Sequence, residues 1–232
     1  MSTANGTNGR RGSAMLIDAV QPSFDATRIE YRVVEGSPDT VFEVARNADF
    51  LRAVTEQHAV RILFALRGAA ERVAARVRSR EPIDAEEPDA LILAGLPTTG
   101  EWVKLGENPP HETAFGAIGR FWAGETTWEE IRASDFAAFE RPGFGKIACN
   151  LSLRPYGPGR TLVSYEARTR CTDPRSRRAF RRYWRVLSPF VGVVMRALLS
   201  VIERDALREA ERNSRPMGVP DEGGARTPVG VG

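Results

Sequence analysis

The chain has 232 residues, of which 42% are apolar and 27% charged, and carries a formal net charge of +3. Those proportions exclude a disordered, collagen-like or multi-span membrane chain, and two cysteines exclude a disulfide scaffold or a four-cysteine zinc module. At ~100–200 residues per domain the length allows one large domain or two small ones, and the order of elements below favours one.

Residues 1–14 are small and polar, with nothing apolar beyond alanine after Met1, so they read as a disordered leader that cannot repay the entropy of ordering. Arg10-Arg11 is followed only by Met15-Leu16-Ile17 before Asp18 intervenes. That run falls short of the ~7–15-residue apolar core of an export signal, so a cytoplasmic chain is expected, with Met15 a second candidate start. Residues 29–34, IEYRVV, form a first strand. Ser37 then caps a helix whose first residue is Pro38, where a missing N–H costs nothing. Val41, Val44 and Ala45 share one face of this helix, with Phe42 beside them. Residues 58–80 carry both a strand-like alternation and a longer helical series, Leu63, Leu66, Ala70, Val73 and Val77, and the longer series favours a helix. Residues 81–90 hold five acids, two prolines and no base, a solvated loop.

From here the period shortens. Residues 101–105 and 111–118 flank Gly106-Glu107-Asn108-Pro109-Pro110 as a hairpin, and a further strand is expected near Phe121-Trp122. Residues 146–154 alternate, with Ile147, Cys149, Leu151 and Leu153 on the apolar side, and residues 161–171 answer with Val163, Tyr165, Ala167, Thr169 and Cys171. Placing both apolar sets on one face sets Leu153 opposite Val163, Leu151 opposite Tyr165 and Cys149 opposite Ala167, with a five-residue loop at 156–160; a one-residue slip would turn Glu166 and Arg168 inward. Cys149 and Cys171 then lie four rungs apart, about 13 Å, beyond the ~7 Å reach of a disulfide. Asp173-Pro174 opens the last helix as cap and first residue. Phe180, Tyr183, Leu187, Val191, Val194, Leu198 and Ile202 form its apolar stripe to about Arg212, with a kink expected near Pro189. Residues 213–232, rich in proline and glycine, read as a disordered tail, which leaves one domain over 15–212.

No nucleophile elbow or phosphate loop is present. His58 and His111 stand on separate elements without a metal-ligand spacing, so neither a metal nor a cofactor is implied. Both cysteines are expected to face the core as inert thiols. Eight arginines against Asp173 alone fall within residues 168–185, which makes that stretch +7 and leaves −4 for the rest. The chain has 31 arginines to two lysines; such a skew suits a GC-rich bacterial coding sequence and does not point to nucleic acid. Residues 186–202, with Arg196 their only charge, are too short to span a bilayer and suit a core helix. Arg175, Arg178, Arg182 and Arg185 line the opposite face, either as a solvated stripe or as a patch for an anionic membrane surface.

Three segments carry a resemblance: Val33 to Phe42 (VVEGSPDTVF), Ser164 to Arg168 (SYEAR) and Phe180 to Trp184 (FRRYW). With the order strand, helices, antiparallel strands and long terminal helix, the chain resembles the SRPBCC or START-like superfamily over about residues 16–212. The resemblance implies an α+β helix-grip fold, a curved antiparallel sheet wrapped around the C-terminal helix with an apolar cavity between. It implies a hydrophobic small molecule or lipid as partner, with a polyketide cyclase or aromatase activity and a peripheral membrane-docking role as alternatives. Gly116, Ala117, Cys149, Ala167 and Thr169 are the inward small or polar positions that would leave such a space open. Tyr165 is the leading ligand-orienting residue, followed by Glu112 and Trp122, with Thr169 also lining the space.

Overall fold

The structure, a computed structural model, describes residues 14–49, 92–122 and 126–214. The expected leader, the 58–80 helix, His58, the acidic loop at 81–90 and the tail beyond Ser214 lie outside the described residues. A short helix α1 (Leu16–Val20) precedes strand β1 (Ala26–Glu35) and helix α2 (Pro38–Asn47). After a 3-10 turn at Leu93–Gly95 come β2 (Thr99–Gly100), β3 (Trp102–Asn108), β4 (Glu112–Arg120), β5 (Thr127–Glu129), β6 (Ile131–Arg132) and the one-turn helix α3 (Ala133–Phe136). β7 (Gly145–Pro155), β8 (Arg160–Cys171) and the long helix α4 (Pro174–Ser214) complete the chain.

The main sheet is antiparallel in the order β1-β8-β7-β4-β3, with β5 continuing beside the end of β4. The curved sheet holds α4 across one face, chiefly against β1 and β8, in a helix-grip arrangement. The β7–β8 register is the one the alternation dictates, Leu153 with Val163, Leu151 with Tyr165 and Cys149 with Ala167. The loop is shorter by one residue, because Arg160 joins β8 and its carbonyl accepts from the Tyr156 N–H at 2.9 Å. The β3–β4 hairpin is also tighter than expected: Gly106, Glu107 and Asn108 stay in the ladder through a register shift after Lys104, leaving only residues 109–111 to turn. No strand starts at Phe121-Trp122. β4 ends at Arg120, and the two rings leave the ladder to pack on the opening of α4.

Both faces of the sheet are covered, which the alternation alone does not convey. Inside, Val34, Phe115, Leu151, Leu153 and Val163 meet Val41, Phe42 and Ala45 of α2 and Met195, Leu198, Leu199 and Ile202 of α4. Full burial of each such side chain contributes about 1.5–3 kcal/mol. Outside, Ile17 of α1 and Phe136 of α3 close over Val103, Ile118 and Ala148. The outward set is therefore not simply solvated. Arg168 is buried there, and its guanidinium bonds Asp18 at 2.8 Å, Glu166 at 2.6 Å and the Gln21 carbonyl at 3.2 Å. Lys146 is 1% exposed and donates to the Ala137 carbonyl at 2.8 Å; burial draws its pKa down, against the pull of Glu140.

Both expected caps form. Ser37 Oγ accepts from the Thr40 N–H at 3.3 Å, with Pro38 at the first position of α2. Asp173 accepts from the backbone N–H groups of Arg175 (2.8 Å) and Ser176 (3.0 Å), and its other oxygen takes the Ser176 hydroxyl and the Gly143 N–H, both at 2.6 Å. One carboxylate thus ties the start of α4 to the approach to β7. The Ser176 hydroxyl and N–H, then Gly143 and Arg175, hold its pKa well below the usual carboxylate range despite some desolvation. Helix α4 runs on through Pro189 as one assigned helix.

Asp173→Ala is expected to lower stability in urea denaturation by about 1–2 kcal/mol, the usual cost of a lost cap, and Asp173→Asn by less. Folding depresses this pKa, so the unfolded chain binds the extra proton. The contribution is complete above the ordinary aspartate value of about 4 and falls away as pH drops below it toward the folded value. The acid limb of the stability profile is therefore expected to be shallower in Asp173→Asn.

Candidate functional site: the inner face of the sheet under the C-terminal helix

Strand pairing arranges the inward side chains in rows across the sheet. One row runs Ala26, Thr169, Ile147, Ala117, Trp102, and the next runs Arg28, Ala167, Cys149, Phe115, Lys104. Half of these ten side chains are small: Ala26, Thr169, Ala117, Ala167 and Cys149. β7 and β8 lie inside the sheet order, yet Ile147 and Ala167 are only half-buried on the face toward α4, while Lys146 and Ala148 on the other face of β7 are buried. Trp102 and Val191 beside them are half-buried as well. Solvent therefore reaches the middle of the inner face, between the apolar cluster under α2 and a second one at the start of α4.

Aromatic rings follow one another across this part of the molecule. Tyr165 stands 6.3 Å from Phe115, Phe115 6.1 Å from Trp102, and Trp102 5.6 Å from Trp128 (ring centroids). Trp128 stacks on Phe121 at 5.8 Å, and Phe121 meets Phe180 of α4 edge-on at 5.8 Å. Two glycines opposite one another make the room: a Cβ on Gly119 would overlap the Trp128 ring and the Thr127 carbonyl, and one on Gly145 would overlap the rings of Trp122 and Phe121. The Phe121-Trp122 pair and Gly145 were visible in the sequence, but only the pairing of β4 with β5 and β7 shows that the rings lie on glycine. Trp102, Trp128 and Phe115 escaped sequence reasoning for the same reason.

Polar groups are sparse beside these rings. The Tyr165 hydroxyl is hydrogen-bonded to the Cys149 thiol across the adjacent strand. Burial, together with Cys149, pushes the phenol well above its ordinary pKa, and burial pushes the Cys149 thiol up to about 12 against the Tyr165 hydrogen bond. Cys171 also rises to about 12, through burial and then the charge of Asp25. Both cysteines are free. At the β1 rim the Arg28 guanidinium lies against Gly192 of α4 and bonds Glu30 at 2.5 and 2.8 Å, and Glu30 also takes Arg196 at 2.8 Å. Burial opposes ionisation of Glu30, but Arg28 and Arg196 outweigh it and hold the pKa low.

The residues singled out in the sequence divide between the two faces. Tyr165 and Thr169 lie on the inner face, both buried. Trp122 stands at the α4 end, half-buried, 5.0 Å from Phe121 and 6.1 Å from Phe180. Glu112 is paired with Ser152 on the outer face, where its carboxylate accepts from the Leu16 N–H of α1 at 3.0 Å and from Asn150 at 3.3 Å. It anchors α1 and does not reach the inner face, because one odd-to-even step along β4 changes the face. Gly116 likewise turns outward, against Leu105 and Phe136. His111 is exposed in the β3–β4 turn. Arg175, Arg178, Arg182 and Arg185 are all exposed.

No protein-family model and no curated protein matches the chain. Solved structures do. A conserved protein from Geobacillus kaustophilus is 9% identical, covering 79% of this chain and 97% of its own at a TM-score of 0.37. Norcoclaurine synthase from Thalictrum flavum is 12% identical, with 89% and 99% covered and a TM-score of 0.32. The Zhui aromatase/cyclase from Streptomyces sp. R1128 is 14% identical, with 82% and 98% covered and a TM-score of 0.30. The helix-grip description rests on the sheet order and helix packing above.

Gly145→Ala is expected to cost about 1–3 kcal/mol, as overpacking does, and to change the near-ultraviolet circular dichroism of the tryptophans. An unchanged melting temperature and spectrum would contradict the close approach of Trp122 and Phe121. Neither thiol is expected to react with a disulfide reagent at pH 8 in the native protein, since both stay protonated; two thiols should titrate after unfolding in guanidinium.

Proposed function

We propose that the chain binds a hydrophobic small molecule or lipid in the hollow between the inner face of the sheet and α4. The observation that carries this reading is the half-buried state of Ile147 and Ala167, apolar residues on interior strands, beside half-buried Trp102 and Val191. Apolar surface open to solvent is unfavourable by roughly 25 cal/mol per Å², and an apolar guest removes that cost. Ligand sites of this kind are mostly apolar with a few orienting polar groups. Thr169 and the Tyr165 hydroxyl are those groups on the sheet, Trp122 borders the hollow at its α4 end, and Arg28 borders it at β1.

A cyclase or aromatase activity finds less support. It would need a proton-transfer group within reach of a bound chain, and the Glu112 carboxylate lies on the other face of the sheet. The Tyr165 phenol and Cys149 thiol have pKa values raised by burial, which suits them to holding a guest rather than to exchanging protons near neutral pH.

The test uses an uncharged fluorescent probe, N-phenyl-1-naphthylamine. Saturable, blue-shifted binding is expected, and Ala167→Trp should weaken it at least about tenfold, a change of about 1.4 kcal/mol, with the melting temperature retained. Probe binding that is unsaturable, or equal in a folded Ala167→Trp variant, would sink the proposal.

A further inference from the structure

We propose that the N-terminal half of α4 is a docking face for an anionic lipid surface. At 100° per residue, Arg175, Arg178, Arg182, Arg185, Val186 and Phe190 fall on one side of the helix, and all six are exposed. Val186 is 71% exposed and Phe190 38%, one turn apart on the same face. The later half of the same helix behaves differently: Met195, Leu198, Leu199 and Ile202 are buried against the sheet. The two exposed apolar side chains thus stand directly after an arginine run, on the solvent side of a helix whose Phe180 is buried against the sheet.

Among the described residues, most of the charge on this face has no carboxylate partner. Three of the eight arginines in residues 168–185 have carboxylate partners: Arg168 with Asp18 and Glu166, Arg170 with Glu140, Arg177 with Asp25. Arg175, Arg178, Arg181, Arg182 and Arg185 have none among the described residues. Arg175 also lines a groove of about 410 Å³ with Arg120, Trp122 and the capping carboxylate of Asp173.

This combination selects the occupant. A second copy of the same face would set arginine against arginine. Nucleic acid would meet the cations, but its phosphates and grooves give Val186 and Phe190 no apolar counterpart. A lipid surface offers phosphates at the level of the guanidinium groups and acyl chains just beneath, the arrangement that a basic helix face with apolar side chains occupies while lying in the membrane plane. An 18-residue window of α4 reaches a mean hydropathy of 1.8, yet the burial of Met195, Leu198 and Ile202 on the sheet keeps the helix on the domain and makes docking in the plane the suitable mode. The proposal is independent of what fills the hollow.

The test is co-sedimentation of the full chain with phosphatidylcholine vesicles, with and without one quarter phosphatidylglycerol, at 0.1 and 0.5 M NaCl. Binding is expected only with phosphatidylglycerol, at least about tenfold weaker at the higher salt. Arg178→Glu with Arg182→Glu should weaken it at least tenfold, and Val186→Ser with Phe190→Ser severalfold on the same vesicles. All four side chains are exposed, so folding should survive, and melting temperature and probe binding verify it. Absence of binding, equal binding to pure phosphatidylcholine, or no effect of the Val186 and Phe190 changes overturns the proposal. So does tighter, arginine-dependent binding to a DNA duplex, or a dimer that the Phe190 change dissolves.

Discussion

The pairing of β7 with β8 is the constraint on which the molecule depends. Because side chains alternate along a strand, this single register decides that Cys149, Tyr165, Ala167 and Thr169 look toward α4 while Asn150, Glu166 and Arg168 look away. Each neighbouring strand inherits the choice: Phe115 and Ala117 of β4 fall on the inner side, Glu112 and Gly116 on the outer. A slip of one residue would place the Arg168 and Glu166 charges under α4 and remove the partners that Arg168 has in Asp18 and the Gln21 carbonyl. Desolvating an ion without its partners is among the larger penalties a fold can meet, so the register is held from both faces.

The outer face explains why the arrangement tolerates so many buried polar groups. Glu112 and Asn150 bond one another, and Glu112 takes an N–H from the first residue of α1. Arg168 spans from β8 to α1, and Lys146 from β7 to the carbonyl that follows α3. These links replace a solvated surface with a second thin layer. Their individual net worth is modest, since each group gives up water to make them, but leaving any one without its partner is costly. They fix where α1 and α3 sit and so brace the sheet from behind.

Much of the architecture was legible in the amino-acid order because it rests on local rules. The Ser37-Pro38 and Asp173-Pro174 caps, the β7–β8 alternation and the long period of α4 each need only a few neighbouring residues, and all four appear as expected. Non-local features were not legible. Glu112 is expected among the ligand-orienting residues, but its parity relative to β7 depends on how β4 pairs, and a strand buried on both faces shows no alternation to reveal it. Phe121-Trp122 looked like a strand by composition, whereas the glycines at 119 and 145 draw the rings out of the ladder. The aromatic row from Tyr165 to Phe180 joins residues from β8, β4, β3, β5 and α4, and no linear pattern encodes it.

The two proposed surfaces meet on one helix, and its sequence accounts for the difference between its halves. After residue 190 the apolar side chains find the sheet, and Arg196 and Glu203 reach back to Glu30 and Arg32 of β1 at 2.8 and 2.6 Å. Before residue 190 the arginines come too densely for β1 and β8 to pair them all, since Glu30 is already shared between Arg28 and Arg196 and Asp25 is taken by Arg177. Excess cation in this stretch therefore has to face outward, and it carries Val186 and Phe190 with it. The aromatic row ends at Phe180, with Tyr183 and Trp184 next to it, one to two turns from that exposed face. On the two proposals together, a guest passing from a bilayer to the inner face would meet these aromatic rings before bulk water.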